Sequence, residues 1–396
     1  MASNYKIGIA FAGIFLLAAW LRFDFLVSVY HLVTHDSKYY DIMVRQLLEH
    51  GIYAYKSLEP NAKVTPGLPL IMAAVYRIVD YKVREPFPYL RYLNVLLSLA
   101  TLCLVFLIAR RVAGAFVALA ASFLVAIYPA FVWTNGAILT EVPAAFLLML
   151  YLYVQLIAFE SRRLLHAGLA GALLGLTSLV RPEFMPLCVP IYLFYGLWTR
   201  DRQFWKPLLI ALIGLCIVMS PWWIRNIATL HRVVLTATQT NPFAAGTFPG
   251  KNYNDNMVDR AGMTQRQYAL ERLKFGFTEH TWTFVKWYTV GKLYYIYSNM
   301  FVGSGHTPRY RPIPFGGAFH VGLVISSLLS MLACLRHWRR PLTALTVVVV
   351  VMSALRLLFV PEYRYNFTVM PLLAIFSAVL IVRVLNWFYV RYVKAA

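Results

Sequence analysis

Thr34-His35-Asp36-Ser37-Lys38-Tyr39-Tyr40-Asp41 and Thr65-Pro66-Gly67-Leu68-Pro69-Leu70 bracket the first long polar interruption in a chain made mostly of apolar runs. Between them Tyr40, Met43, Val44, Leu47 and Leu48 recur at helical spacing. Residues 37–50 therefore read as an amphipathic helix that stops at Gly51 and lies along a bilayer surface. Asp36 falls at or just before its first turn, at the boundary between water and lipid. A second surface helix is predicted from Thr65 as N-cap and Pro66 as first helical residue, with Leu68, Leu70, Ile71, Ala74 and Val75 on it.

The rest of the chain explains why such helices would lie on a membrane. Of 396 residues, 60% are hydrophobic and only 13% charged, more apolar surface than a soluble domain of this length can bury, so the class is an all-α polytopic membrane protein. At about 20 apolar residues per crossing, about ten spans can be laid off: 7–29, 93–109, 112–133, 138–158, 166–180, 184–198, 207–223, 317–335, 342–360 and 367–385. No small-residue cleavage motif follows the first, which reads as an uncleaved span. The net charge of +21 does not call for nucleic acid, because the cations cluster in short groups between apolar runs. With the amino terminus inside, Arg110-Arg111, Arg162-Arg163, Arg200 to Lys206, Arg336 to Arg340 and Arg391 to Lys394 all fall on the inner face, as the positive-inside rule requires. Outside then lie the first loop, 34–89, a long loop, 228–315, and the turns at 135–141, 181–183 and 361–365. In the long loop a helix is expected after Thr264 as N-cap, and 282–301, aromatic but carrying Lys286 and Lys292, reads as interfacial rather than as an eleventh span. One domain, 1–396, is expected. Cys103, Cys188, Cys216 and Cys334 lie within apolar segments without metal-ligand spacing, so neither a disulfide framework nor a zinc site is indicated.

Polar residues gather at the outer ends of the spans. Asp36 reads either as a helix-capping carboxylate or as a base. Lys63 suits a lipid headgroup or a substrate phosphate. Glu141 can favour a helix start through the macrodipole, yet an ionisable group beside so long an apolar run is costly and suggests function. Arg181 and Glu183 can pair with each other. In Pro361-Glu362-Tyr363-Arg364-Tyr365-Asn366, the tyrosines fit an aromatic belt, and Arg364 offers a planar fork of donors for phosphate. Asn366-Phe367-Thr368 matches a glycosylation acceptor but runs into a span, so the match reads as incidental.

The order of these features resembles GT-C glycosyltransferases, most nearly the group of protein O-mannosyltransferases and lipid A aminoarabinose transferases. The features are Asp36 with Tyr40 after the first span, the Thr65-Pro66-Gly67-Leu68-Pro69 turn, Thr140-Glu141, Arg181-Pro182, and Glu362 to Tyr365 before the last span. The resemblance implies a GT-C-type fold and a membrane glycosyltransferase that moves a sugar from a polyprenyl-monophosphate carrier to a glycan, lipid or protein acceptor. It would act on the outer face of a bacterial plasma membrane. It implies Asp36 as base and Glu141 as the second acidic residue, with Tyr40, Lys63, Arg181, Tyr363, Arg364 and Tyr365 around the carrier phosphate. The sequence departs from the group in having His35 before Asp36 and Lys63-Val64-Thr65 before the proline turn. Phosphate is a good leaving group when cations stabilise it, so one base and one displacement suffice, which predicts inversion. The first loop has no Asp-x-Asp pair, and neither a metal nor another cofactor is expected. An O-antigen polymerase or ligase acting on polyprenyl diphosphate is the alternative, placing catalysis in the long loop. A lipid-linked sugar transporter would want charges buried mid-span.

Overall fold

The computed structural model describes residues 2–260, 262–303, 310, 312–313, 316–336, 338 and 341–393. His337, Arg339, Arg340 and Lys394, expected among the inner basic groups, and Phe315, the end of the long loop, lie outside the described residues. Among the described residues every regular element is helical: α1 (Ala2–Ser28), α2 (His35–His50), α3 (Gly67–Val79), α4 (Phe87–Ala113), α5 (Ala115–Ile127), α6 (Pro129–Trp133), α7 (Glu141–Ser161), α8 (Leu164–Val180), α9 (Cys188–Thr199), α10 (Trp205–Leu230), α11 (Asn241–Ala245), α12 (Gln265–Glu279), α13 (Thr281–Lys286), α14 (Lys292–Tyr297), α15 (Gly316–Leu335), α16 (Pro341–Arg356) and α17 (Met370–Phe388).

Six helices are long and apolar enough to cross a membrane, in α1, α4, α7, α10, α15 and α17, and a seventh crossing is made if the pair 115–127 and 129–136, bent by 59°, is one span. The break falls at Tyr128-Pro129, where proline removes a backbone donor and turns the chain. Each of the other apolar runs read as a span also contains a helix, but a short one. Thus α8, α9 and α16 have 17, 12 and 16 residues, and the run 184–198 is split by a 3₁₀ turn at Pro182–Leu187.

Packing between spans rests on small residues, as it must where lipid is as apolar as the helix faces. A side chain at Gly171 of α8 would meet the Ala211 carbonyl of α10, and one at Gly214 of α10 the Gly168 carbonyl. Helix α8 is thus pressed against α10, with α7 on its other side, and α17 packs against α5 and α15. Arg22, on the first span, is fully buried. It donates to Ser98 Oγ at 2.8 Å and to the Ala18, Ala126 and Val125 carbonyls, which makes it a tie between α1, α4 and α5.

The surface helices form as expected at α2, which ends on Gly51 at φ +69° with its N–H on the Leu47 carbonyl. Ser37 pins α2 to the turn before α7 by donating to the Ile138 carbonyl at 3.0 Å. The start of α3 is different. Thr65 makes no cap; its hydroxyl donates to the Val180 carbonyl at the end of α8 at 3.4 Å, and the helix begins at Gly67. A side chain on Gly67 would collide with Leu179 and Val180, so the glycine lets the turn lie flat on α8. Helix α10 runs a full seven residues beyond the expected 223, and its Arg225 holds the first loop by donating to the Asn61 and Tyr53 carbonyls, both at 3.0 Å.

The long loop has the expected N-cap at Thr264, and the structure adds a capping box in which Thr264 and Gln267 satisfy each other's backbone donors. The stretch 281–297 is one helical run, α13 and α14 joined by a π turn at Trp287–Gly291, and it is not among the candidate spans. The loop clasps the segment before α17: Val360 N–H donates to the Pro242 carbonyl at 2.7 Å, Lys251 pairs with Glu362 at 2.7 Å, and Lys292 Nζ donates to the Leu357 carbonyl at 2.6 Å. Asn366 is buried, its amide spent on the Ile296 and Asn299 carbonyls at 2.7 and 2.8 Å, which rules out a glycan there.

Candidate active site

Four turns meet at one place. Asp36 is carried by the first turn of α2, Glu141 by the first residue of α7, Arg181 by the residue after α8, and Arg364 by a 3₁₀ turn ahead of α17. Glu141 is 0% exposed, and its Oε1 accepts from Arg181 Nη1 at 3.0 Å and from Arg364 Nε at 2.8 Å. Arg364 Nη1 reaches on to Asp36 Oδ2 at 3.1 Å. In the other direction Arg181 lies 3.6 Å from Glu183, which accepts from the buried Arg356 at 2.9 Å. Three carboxylates and three guanidiniums thus alternate in a line from the half-exposed Asp36 to the buried Arg356.

This alternation is what makes burial tolerable, since a lone buried charge would be severely penalised and each interior charge here has an opposite neighbour on both sides. Glu141 more than offsets the effect of burial on Arg364, with Asp36 adding to it, and together they hold its guanidinium firmly protonated. Burial works against the charge on Arg181, but Glu183 and Glu141 outweigh it. Glu183 is pulled below the usual carboxylate range because Arg181 and Arg356 overcome its desolvation. Two cations that stay charged, at the edge of an apolar bundle, form a strong anion seat.

Aromatic groups frame the line. Tyr55 donates its hydroxyl to Asp36 Oδ1 at 3.1 Å, and burial followed by the nearby Asp36 charge keeps that phenol protonated. Tyr40 packs against the Tyr55 ring at 5.4 Å, and burial, Asp36 and Glu141 raise its pKa. Tyr365 lies under Arg181, whose guanidinium carbon is 5.4 Å from the ring centre.

Of the residues singled out from the sequence, Asp36, Glu141, Arg181 and Arg364 are joined directly, with Tyr40 and Tyr365 beside them. Tyr363 is exposed, 42%. Lys63 is also exposed and makes no side-chain ion pair among the described residues. Tyr55, Glu183 and Arg356 complete the group without having been assigned roles. Tyr55 lies in an irregular segment with no periodicity to mark it. Glu183 read as a partner of Arg181 alone, and Arg356 falls near the end of the apolar run 342–360, where nothing in the local sequence marks it. Among the described residues no three His, Cys, Asp or Glu side chains converge so as to hold a metal ion.

Residues 63–224, from the turn before α3 to the outer part of α10, match the family profile of dolichyl-phosphate-mannose-protein mannosyltransferase. The match covers less than half of the chain, and over this segment the chain is similar to that family. The fold agrees. The oligosaccharyltransferase AglB from Archaeoglobus fulgidus, in complex with an inhibitory peptide and a dolichol-phosphate, superposes with a TM-score of 0.64 at 17% identity, over 98% of this chain and 51% of that one. An apo form of the same archaeal enzyme gives 0.63 at 15% identity, over 99% and 52%. ArnT from Cupriavidus metallidurans, bound to undecaprenyl phosphate, gives 0.59 at 15%, over 97% and 61%. At these identities the likeness is one of fold, and the chain spans about half the length of the archaeal enzymes it matches. No curated protein sequence matches it.

Proposed function

We propose that this protein is a GT-C glycosyltransferase that takes a sugar from a polyprenyl monophosphate and passes it, with inversion, to an acceptor hydroxyl or amine on the outer face of a bacterial plasma membrane. The observation that carries the reading is Arg364 held between Asp36 and Glu141, because it sets a phosphate-binding cation within bonding distance of a half-exposed carboxylate. Arg364 and Arg181 would stabilise the departing phosphate, Tyr40, Tyr365, Tyr363 and Lys63 would line the carrier's approach, and Asp36 would take the acceptor's proton. Glu141 would act by holding the two arginines together. Ligands in two relatives support the donor class: the ArnT structure holds undecaprenyl phosphate and the AglB structure a dolichol-phosphate.

The whole chain is read as one domain of ten crossings. The short α8, α9 and α16 cross beside the long spans, which returns every basic group to the inner face, and the convergence of four turns at one end supports this count. The test is to incubate purified protein with labelled polyprenyl-monophosphate sugars and a membrane extract. Native protein should transfer label and Asp36→Asn should not, while still folding. Undiminished transfer by the variant would remove Asp36 as the base.

A further inference from the structure

Resting on the donor reading above, we infer that the donor's phosphate takes the place on Arg364 that Asp36 now holds, and that Tyr55 keeps the displaced Asp36 in line as base. Arg364 spends one edge of its fork on each of two carboxylates, and the two differ in how firmly they are held. Glu141 is wholly buried and shared with Arg181. Asp36 is 38% exposed, sits at 3.1 Å, and has no second cation among the described residues. Charge attraction weakens where water reaches it, so the outer pair yields first to the donor's phosphodiester, whose single charge is spread over two free oxygens that fit the guanidinium fork.

The exchange has a chemical consequence. While Oδ2 of Asp36 accepts from Arg364, that oxygen is engaged and badly placed to receive a proton. Once phosphate has replaced it, Oδ2 is released at the moment the donor arrives, and Oδ1 stays on the Tyr55 hydroxyl at 3.1 Å. The acceptor's lone pair then forms a bond to the anomeric carbon and the bond from that carbon to the phosphate oxygen breaks. The bonding pair leaves with the phosphate, held by Arg364 and Arg181, and the acceptor's proton passes to Asp36. Deprotonation of the acceptor before the donor is seated is disfavoured, because the base is still tied up. Tyr55 is a positioning residue in this scheme.

The experiment measures binding of a synthetic polyprenyl monophosphate to the purified full chain. Removing the competing carboxylate should tighten binding: Asp36→Asn, and Asp36→Ser as a second neutral variant, should bind about fivefold more strongly than native protein, equivalent to ~1 kcal/mol. Asp36→Glu, which keeps the competing charge, should not. Equal or weaker binding by the neutral variants would overturn the exchange while leaving the donor reading intact. No binding by any form, native included, would overturn both. Tyr55→Phe should lower kcat about tenfold or more with donor KM unchanged, and an unchanged kcat, or a loss confined to KM, would overturn its role.

Discussion

Glu141 decides whether the site exists. One buried oxygen serves two arginines from turns 183 residues apart in sequence, Arg181 and Arg364. Glu141→Gln keeps the shape but removes the charge, leaving two guanidiniums facing each other in a low dielectric. Breaking a buried pair of this kind costs about 3–5 kcal/mol, so the variant should melt well below native protein in a detergent thermal shift assay and lose carrier binding. A melting temperature within a degree of native would show that Glu141 is not the keystone. This residue stood out in the sequence because an acid beside a long apolar run is expensive. Its partners were only half legible: Arg181 and Arg364 stand in turns of suitable character, but no local spacing shows that both reach the same oxygen. Tyr55 gave no signal, since its tie to Asp36 spans an irregular segment, and Lys63 looked apt by position while the fold leaves it exposed.

At the level of elements, the turn before α3 positions Arg181 by lying on the end of α8. Thr65 resembles an N-cap in sequence, but its hydroxyl is worth more on the Val180 carbonyl, a tertiary bond that local propensity does not anticipate. Pro66 stiffens the turn and Gly67 admits the close approach. Gly67→Ala should force the turn away from Leu179-Val180 at a cost of about 1–3 kcal/mol and lower kcat severalfold by shifting Arg181. Transfer at the native rate with native stability would mean that the contact positions nothing. The surface helix α2, by contrast, was readable almost to the residue, because its amphipathic spacing and its glycine stop are local properties. The bend at Tyr128-Pro129 shows where reading by composition is weakest: an unbroken apolar run gives the length of a span but not its kink.

For the whole molecule, the distribution of charge and the convergence of the turns make one claim from two sides. The Arg111–Glu160 pair at 2.6 Å joins the far ends of α4 and α7, whose near ends flank the site. Cysteines introduced at exposed positions should report this: Lys56→Cys should react with an impermeant maleimide from outside sealed cells, and Arg163→Cys only after lysis. Both reacting from one side would defeat the ten-crossing arrangement. The apolar bulk sets the membrane class from the sequence and the basic clusters propose its sidedness, whereas the line of alternating charges needs the fold, because its members lie on five separate segments. The most direct measurement is single-turnover transfer of label from a polyprenyl-monophosphate sugar by native protein, Asp36→Asn and Arg364→Ala. Native protein should consume the donor, Asp36→Asn should bind it without transfer, and Arg364→Ala should fail to bind it; equal turnover by all three would contradict the account.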